Sequence, residues 1–201
     1  MTGIPGTVGG AVYGNAGAYG QTISDHIKGV SVFDGGGKVF LEKKDCIFGY
    51  RTSGFKKNNS IILEVEFDFP EGDSDILDKE AKKCLALRLK KYKPGLKCPG
   101  SFFRNFYTSE VPIEVLSKLP QRLDTYGKTP AYIFLEELGA KGDQIGNVKI
   151  ADHHANLFVN LNHALASDFW QLAHKWYKKV KDKFGVKLEN EVQLINLPPF
   201  E

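Results

Sequence analysis

Near its start the chain reads Gly3-Ile4-Pro5-Gly6-Thr7-Val8-Gly9-Gly10-Ala11 and then Asn15-Ala16-Gly17-Ala18-Tyr19-Gly20. Glycine at this density indicates backbone that comes close to a flat or charged partner, because no Cβ stands in the way. The spacing matches neither a dinucleotide-binding Gly-x-Gly-x-x-Gly loop nor a Walker A loop. The apolar residues between the glycines favour a packed ligand loop over a disordered terminus.

Composition narrows the possible functions. The 201 residues suffice for one or two domains with a real core, and a net charge of +3 does not indicate nucleic-acid binding. Three cysteines without a Cys-x-x-Cys pair suit the reducing cytoplasm. The sequence shows no signal peptide and no apolar stretch of membrane-spanning length. Because His153 and His154 would point to opposite faces of a strand, we expect no metal site there.

Hydrophobic periodicity predicts an α+β fold. The predicted elements are a hairpin over 28–41 around Gly35-Gly36-Gly37, a strand over 60–69, a helix over 74–91, a short helix from Thr129-Pro130 to Gly139, a strand over 155–160, a helix over 167–184 and a strand over 186–195. One face of the strand over 60–69 is expected to carry Ile61, Leu63, Val65, Phe67 and Phe69. The helix over 74–91 is expected to begin at an N-cap, Ser74, and to carry an apolar stripe of Leu77, Ala81, Cys84 and Leu85.

Three further segments carry side chains that could do chemistry. Arg51, beside Tyr50, could clamp a carboxylate or a phosphate, or could be an ordinary surface arginine. Ser101 offers a hydroxyl, but no Gly-x-Ser-x-Gly elbow surrounds it, so a strand start is a simpler interpretation than a serine hydrolase. Glu191 lies on the polar face of the last predicted strand, where a carboxylate is solvated unless that face lines a cleft.

Seven motifs follow one another along nearly the whole chain. They occupy residues 3–11, 15–20, 49–53 (Gly-Tyr-Arg-x-Ser), 100–105 (Gly-Ser-Phe-Phe-Arg-Asn), 139–146 (Gly-Ala-Lys-Gly-x-x-Ile-Gly), 154–160 (His-Ala-Asn-x-x-x-Asn) and 185–192 (Gly-Val-x-Leu-x-x-Glu-Val). This order closely resembles the UDP-N-acetylenolpyruvoylglucosamine reductase family, also called UDP-N-acetylmuramate dehydrogenase.

The resemblance implies a cytoplasmic FAD enzyme of peptidoglycan precursor synthesis, with a vanillyl-alcohol-oxidase-like fold. Such enzymes use NADPH to reduce UDP-N-acetylglucosamine enolpyruvate to UDP-N-acetylmuramate, with no nucleic-acid or membrane partner. Residues 1–93 would form the second half of an FAD-binding domain. Residues 94–201 would form an α+β substrate-binding domain with an insertion at about 107–126.

The resemblance also implies roles for individual residues. Arg51 would hold and polarise the substrate carboxylate, Ser101 would protonate C2, and Glu191 would assist the polarisation. The expected cofactor-binding residues are Gly3, Ile4, Pro5, Gly6, Thr7, Gly9, Gly10, Asn15, Ala16 and Gly17. The expected contacts to substrate or nucleotide are Tyr50, Lys93, Asn105, Lys141 and His154.

Glu191 raises an electrostatic question. An ionised glutamate would repel the negative charge that builds up on the substrate during reduction. We therefore predict that Glu191 has a raised pKa and is protonated, or is neutralised by Arg51, when substrate is bound.

The chain departs from the family pattern at several points. Gln193 stands where the family usually has arginine, and the 50-residue separation of Arg51 from Ser101 indicates the shorter of two subtypes. Family members begin with a smaller FAD-binding domain, whereas this sequence starts within the second FAD-binding region, so we expect weak or absent FAD binding by this chain alone. Two alternatives stay open: a fragment that binds a UDP-sugar without redox activity, and another flavin oxidoreductase of the same fold.

Overall fold

A computed structural model describes residues 2–120 and 127–200. The chain divides into two compact units, Met1–Pro94 and Gly95–Glu201. Each unit has its own hydrophobic core. Within the described residues, no helix combines the length and the apolar character needed to span a membrane.

The first unit is built on a three-stranded antiparallel sheet of order β4-β3-β5. Its elements are α1 (Val8–Tyr13), β1 (Gly17–Ala18), β2 (Gln21–Thr22), β3 (Ile27–Phe33), β4 (Lys38–Glu42), α2 (Phe55–Asn58), β5 (Ile61–Phe67) and α3 (Ser74–Lys91), with 3₁₀ turns at Ile23–His26 and Lys43–Cys46. The predicted hairpin is confirmed, because β3 and β4 pair antiparallel. In the turn between them, Asp34 accepts hydrogen bonds from the N–H groups of Gly36 and Gly37.

The predicted apolar face of strand β5 is correct for Val65 and Phe67, which pack against the core, and wrong for Ile61 and Leu63. Ile61 and Leu63 are 60% and 49% exposed, whereas Ile62, which was not predicted to face the core, packs against it. Two consecutive residues of β3 pair with Ile62 and Glu64, which leaves Leu63 as the extra residue of a β-bulge. Because a bulge shifts the alternation of side chains, strict two-residue periodicity fails there.

The glycine-rich stretch contains a short helix that the sequence reasoning did not predict. The hydroxyl of Thr7 caps α1 by accepting a hydrogen bond from Gly10 N–H at 3.1 Å. Val12 is fully buried in the core, whereas Val8 is exposed. The stretch is therefore packed, but through one face of a helix.

Helix α3 has the predicted bounds but a different cap. The carboxylate of Asp73, rather than Ser74, accepts hydrogen bonds from the first turn, at the N–H groups of Asp75 and Ile76. No residue of α3 is buried, so the predicted apolar stripe is not part of the core.

The second unit packs helices against two small antiparallel sheets, β10-β9-β8 and β6-β7. Its elements are β6 (Phe106–Tyr107), a 3₁₀ turn (Thr108–Glu110), α4 (Ile113–Leu116), β7 (Lys128–Thr129), α5 (Ala131–Glu137), β8 (Gln144–Ile145), β9 (Val148–Ile150), β10 (Phe158–Asn160) and α6 (Ala166–Phe184). Both predicted helices are confirmed as α5 and α6. Of the expected insertion at about 107–126, residues 121–126 lie outside the described residues.

Helix α6 supplies much of the core of the second unit. Its buried residues are Leu172, Ala173, Trp176, Tyr177 and Val180. They recur three or four positions apart, as one face of an amphipathic helix requires. The same core contains Phe103 and Phe158, so the segment that follows Ser101 is anchored in it.

Two strand predictions in this unit need correction. The segment over 186–195 forms no regular strand and makes one isolated bridge, between Phe103 and Asn190. The neighbouring segment, residues 102–104, pairs with it only over residues 189–191, so a longer series of strand bridges does not form. The strand predicted over 155–160 is shorter, because β10 begins at Phe158 and Leu157 makes an isolated bridge with Ser101.

Candidate functional site

In the first unit, the segment around Arg51 is bound to the glycine-rich stretch. Three side chains donate hydrogen bonds to backbone carbonyl oxygens: Asn15 Nδ2 to Gly49 O at 2.8 Å, Arg51 Nη2 to Gly17 O at 2.7 Å, and Ser53 Oγ to Tyr13 O at 2.7 Å. The structure thus brings together two of the segments that the sequence singled out.

Arg51 is held in a backbone conformation that is rare for a residue other than glycine. Its φ is +55°, in the left-handed region. Lys56 Nζ donates to Arg51 O at 2.8 Å, and the guanidinium carbon lies 5.1 Å from the centre of the Tyr50 ring. Such a conformation costs about 1–3 kcal/mol and persists only where surrounding contacts impose it. These contacts fix a guanidinium, a group suited to bidentate binding of a carboxylate.

A groove of about 410 Å³ lies along the glycine-rich stretch. Six of the ten predicted cofactor-binding residues line it: Ile4, Pro5, Gly6, Thr7, Gly10 and Ala16. Gly6 has a φ of +136°, and a Cβ there would meet nothing within 4 Å, so its backbone can be approached closely. Together with the apolar side chains of the groove, this fits a flat portion of a dinucleotide such as FAD.

The other four predicted cofactor-binding residues do not line the groove. Asn15 and Gly17 make the hydrogen bonds to the Arg51 segment described above. Gly3 O accepts a hydrogen bond from Arg88 Nε at 3.1 Å, on helix α3. A Cβ on Gly9 would lie 4.0 Å from Ile62 Cγ2 of strand β5, so Gly9 faces the sheet.

In the second unit, Ser101 begins a segment that is bound on both sides. Gly100 has a φ of +92°, which favours glycine and turns the chain into the segment. On one side, Ser101 forms a bridge with Leu157, and Phe102 N–H donates to Asn156 O at 3.0 Å.

The other side of this segment is bound to residues 189–191. Phe103 forms a bridge with Asn190, and Glu191 N–H donates to Phe102 O at 2.9 Å. Glu191 is half-buried. The structure therefore places Ser101 and Glu191 on adjacent segments of the second unit, whereas Arg51 belongs to the first unit.

Arg104 links the same two segments through its side chain. Its Nε donates to Glu189, its Nη1 donates to Glu110 at 3.1 Å, and the side chain is 16% exposed. The hydrogen bond to Glu189 raises the pKa of Arg104, and the hydrogen bond from Arg104 lowers the pKa of Glu110. Arg104 and Glu110 therefore stay charged at neutral pH.

The remaining predicted contacts to substrate or nucleotide lie in different surroundings. Asn105 Oδ1 accepts a hydrogen bond from Ala131 N–H at 3.2 Å, at the start of α5. Lys141 Nζ pairs with Glu136 at 2.8 Å. Lys93 is exposed at the end of the first unit. Their roles in binding stay predictions.

His154 is oriented by a backbone hydrogen bond. Its Nδ1 accepts from Asn156 N–H at 3.2 Å, and its ring centre lies 5.0 Å from that of Tyr132. Because a backbone N–H can only donate, the neutral imidazole carries its proton on Nε2. In that form His154 offers a hydrogen-bond donor at Nε2.

Sequence reasoning missed Asn156, which is 1% exposed. A buried amide must find hydrogen-bond partners. The available signal was an asparagine inside the otherwise apolar run 155–159, within a motif already noted for His154. Among residues 2–120 and 127–200, no group of three or more His, Cys, Asp or Glu side chains could hold a metal ion.

Known proteins resemble this chain along most of its length. The family model for the C-terminal domain of UDP-N-acetylenolpyruvoylglucosamine reductase matches residues 92–195. The reductase of Solibacter usitatus is 39% identical over 196 residues, which cover 97% of this chain and 63% of the relative. That of Thermotoga petrophila is 37% identical, covering 96% of this chain and 61% of the relative.

A solved structure shows the same architecture. The crystal structure of UDP-N-acetylenolpyruvylglucosamine reductase from Thermus caldophilus matches with a TM-score of 0.69 and 28% identity, covering 95% of this chain and 61% of that chain. The chain spans about three fifths of the length of these relatives. The predicted resemblance is confirmed: the chain belongs to the UDP-N-acetylenolpyruvoylglucosamine reductase family.

Proposed function

We propose that this chain carries the substrate-reducing site of a UDP-N-acetylenolpyruvoylglucosamine reductase, which forms UDP-N-acetylmuramate for peptidoglycan with FAD and NADPH. Family membership supports the reaction class. The observation that carries the proposal is the pairing of the Ser101 segment with residues 189–191, both within the stretch that matches the family domain.

The reaction reduces a carbon–carbon double bond beside a carboxylate. FAD, when bound, supplies the hydride, which originates from NADPH. Addition at C3 of the enolpyruvyl group leaves negative charge at C2, and this charge spreads into the carboxylate. The chemistry therefore needs a fixed cation at the carboxylate and a proton donor at C2.

In this proposal Arg51 is the cation, since its guanidinium suits a carboxylate and its position is fixed by Gly17 and Lys56. Ser101 is the proton donor. A neutral alcohol is a weak acid, so it can donate only to a strongly basic carbon held against it, which requires a rigid segment. The pairing of the Ser101 segment on both sides supports that rigidity.

The remaining predicted residues take binding roles. The groove along the glycine-rich stretch holds part of FAD, so that the first unit acts as part of an FAD-binding domain. Glu191 assists polarisation of the substrate, and the substrate and nucleotide are contacted by Tyr50, Lys93, Asn105, Lys141 and His154. A cytoplasmic location is supported by three free thiols.

The first experiment titrates FAD into the purified chain and follows flavin absorbance, then measures NADPH oxidation that depends on UDP-N-acetylglucosamine enolpyruvate. Ser101→Ala should lower kcat roughly 10²- to 10⁴-fold, as for loss of a general acid. Ser109→Ala is the matched control, because Ser109 is exposed in the same unit. Equal kcat values for the two variants would overturn the role of Ser101.

A second candidate is UDP-sugar binding without redox activity. It is favoured by the match of the family model to residues 92–195, which include four of the five expected contacts to substrate or nucleotide. Thermal-shift measurements with UDP-N-acetylmuramate and with FAD distinguish the two candidates. Stabilisation by the nucleotide sugar alone would support the second, whereas stabilisation by both would support the reductase.

A further inference from the structure

The side chain of Asn156 forms two hydrogen bonds with the backbone of one residue. Its Oδ1 accepts from Phe103 N–H at 2.9 Å, and its Nδ2 donates to Phe103 O at 2.7 Å. The backbone carbonyl of Asn156 also accepts from Phe102 N–H. Asn156, Phe102 and Phe103 are each at most 2% exposed. One residue thus holds the two positions that directly follow Ser101.

The amide of Asn156 takes the place of a missing strand neighbour. The bridge between Phe103 and Asn190 is made by the flanking groups Phe102 O and Arg104 N, so the N–H and C=O of Phe103 point away from Asn190. On that opposite side, the Asn156 side chain satisfies both groups. Without it, a buried donor and a buried acceptor would lose their partners, which is strongly unfavourable.

Asn156 is itself fixed, because its N–H donates to His154 Nδ1 at 3.2 Å. Ser101 directly precedes the two residues that Asn156 holds. Since the peptide group that joins Ser101 to Phe102 is planar, a displacement of the Phe102 backbone would shift the backbone of Ser101 as well. The contacts with Asn156 therefore restrain the backbone from which the Ser101 side chain projects.

We propose that Asn156 is a positioning residue that directs the Ser101 hydroxyl toward C2 of the substrate. This role rests on the proposed function of Ser101 as proton donor. Asn156 acts through Ser101, so its loss should slow proton transfer and leave substrate affinity nearly unchanged. A displacement of about 1 Å at a reacting group can lower a rate about 100-fold.

The test compares Asn156→Asp with Asn160→Asp. At position 156 aspartate keeps the size and one acceptor, but it places an oxygen opposite Phe103 O. Asn160 Oδ1 accepts a hydrogen bond from Ala164 N–H at 3.2 Å, a bond that aspartate can also make. Steady-state kinetics of the FAD-loaded chain are measured with NADPH and UDP-N-acetylglucosamine enolpyruvate, in H₂O and in D₂O.

For Asn156→Asp, kcat should fall about 10- to 100-fold, while the KM for the UDP-substrate should change less than about twofold. The solvent isotope effect on kcat should rise, because proton transfer becomes rate-limiting. Asn160→Asp should behave like the unaltered chain. A lower kcat with an unchanged isotope effect would mean that a fraction of the protein is merely unfolded and would overturn the positioning role.

Two further measurements distinguish a local loosening of the Ser101 segment from a general failure of the variant to fold. Amide hydrogen exchange at Phe102 and Phe103, in the chain without ligands, should be faster in Asn156→Asp than in Asn160→Asp, and equal rates would overturn the inference. If near-ultraviolet circular dichroism shows that Asn156→Asp does not fold, Asn156→Ser is measured in the same way. Absence of turnover in the unaltered FAD-loaded chain would instead overturn the proposed function.

Discussion

Replacing Gly17 by alanine should destabilise the first unit and disturb Arg51. Gly17 lies in strand β1 opposite Thr22, and its carbonyl accepts the hydrogen bond from Arg51. A Cβ there would lie 2.6 Å from Gln21 O, 2.8 Å from Thr22 Cγ2 and 3.2 Å from Arg51 Nη1. Because the shortest contact is with backbone, turning a side chain cannot relieve it.

The size of the effect follows from this contact. The Cβ and Gln21 O must separate by roughly 0.8 Å to reach the 3.4 Å of ordinary van der Waals contact. Overpacking of this kind costs about 1–3 kcal/mol of unfolding free energy. In a unit of this size each kcal/mol shifts Tm by about 4–8 °C, so Tm should fall by roughly 4–24 °C.

Thermal unfolding followed by far-ultraviolet circular dichroism tests this expectation. Gly37→Ala is the matched control, because a Cβ on Gly37 would meet nothing within 4 Å and its φ is not left-handed. Gly17→Ala should also weaken binding of UDP-N-acetylmuramate, whose carboxylate is assigned to Arg51 under the proposed function. Equal midpoints for the two alanine variants would show that the turn relaxes at no cost and would refute the reasoning.

Three other outcomes are expected. Burial raises the pKa of Asp143, but hydrogen bonds from a lysine and a tryptophan of α6 outweigh it, and the pKa lies below its ordinary value of 3.8. The ionised Asp143 carboxylate therefore stabilises the fold above pH 3.8, and this stabilisation is lost as the pH falls through the lowered pKa of the folded state. In Asp143→Asn the free energy of urea unfolding should depend less on pH in this acidic range. An unchanged pH dependence would contradict this expectation. Burial raises the pKa of the Cys46 thiol to about 11. Because the thiolate is the reactive form, iodoacetamide near neutral pH should alkylate the half-buried Cys84 and Cys98 before Cys46. Mass spectrometry follows the labelling, and early modification of Cys46 would disprove this expectation. Glu191→Gln should remove one ionisation from the pH–rate profile of substrate reduction, and an identical profile would refute a protonated Glu191.

Local patterns in the sequence are sufficient to predict several helices and one hairpin. Helices α5 and α6 follow from apolar periodicity and from a proline or glycine at their ends, and the β3–β4 hairpin follows from its glycine turn. Helix α3 was predicted with its bounds, although its cap was not. The order of the motifs also predicted the family, because each motif is a short contiguous pattern.

Other features arise from contacts between residues that are far apart along the chain, and these became visible in the folded molecule. The bulge at Leu63 arises from pairing with β3, which no pattern within β5 encodes. The segment over 186–195 fails to form a strand because its neighbour at 101–104 is short, and Arg104 meets Glu189 across 85 positions of sequence. Asn156 reaches Phe103 across 53 positions. A hydrogen bond is set by proximity in space, so the surroundings of Ser101 could not be deduced from any local stretch of the chain.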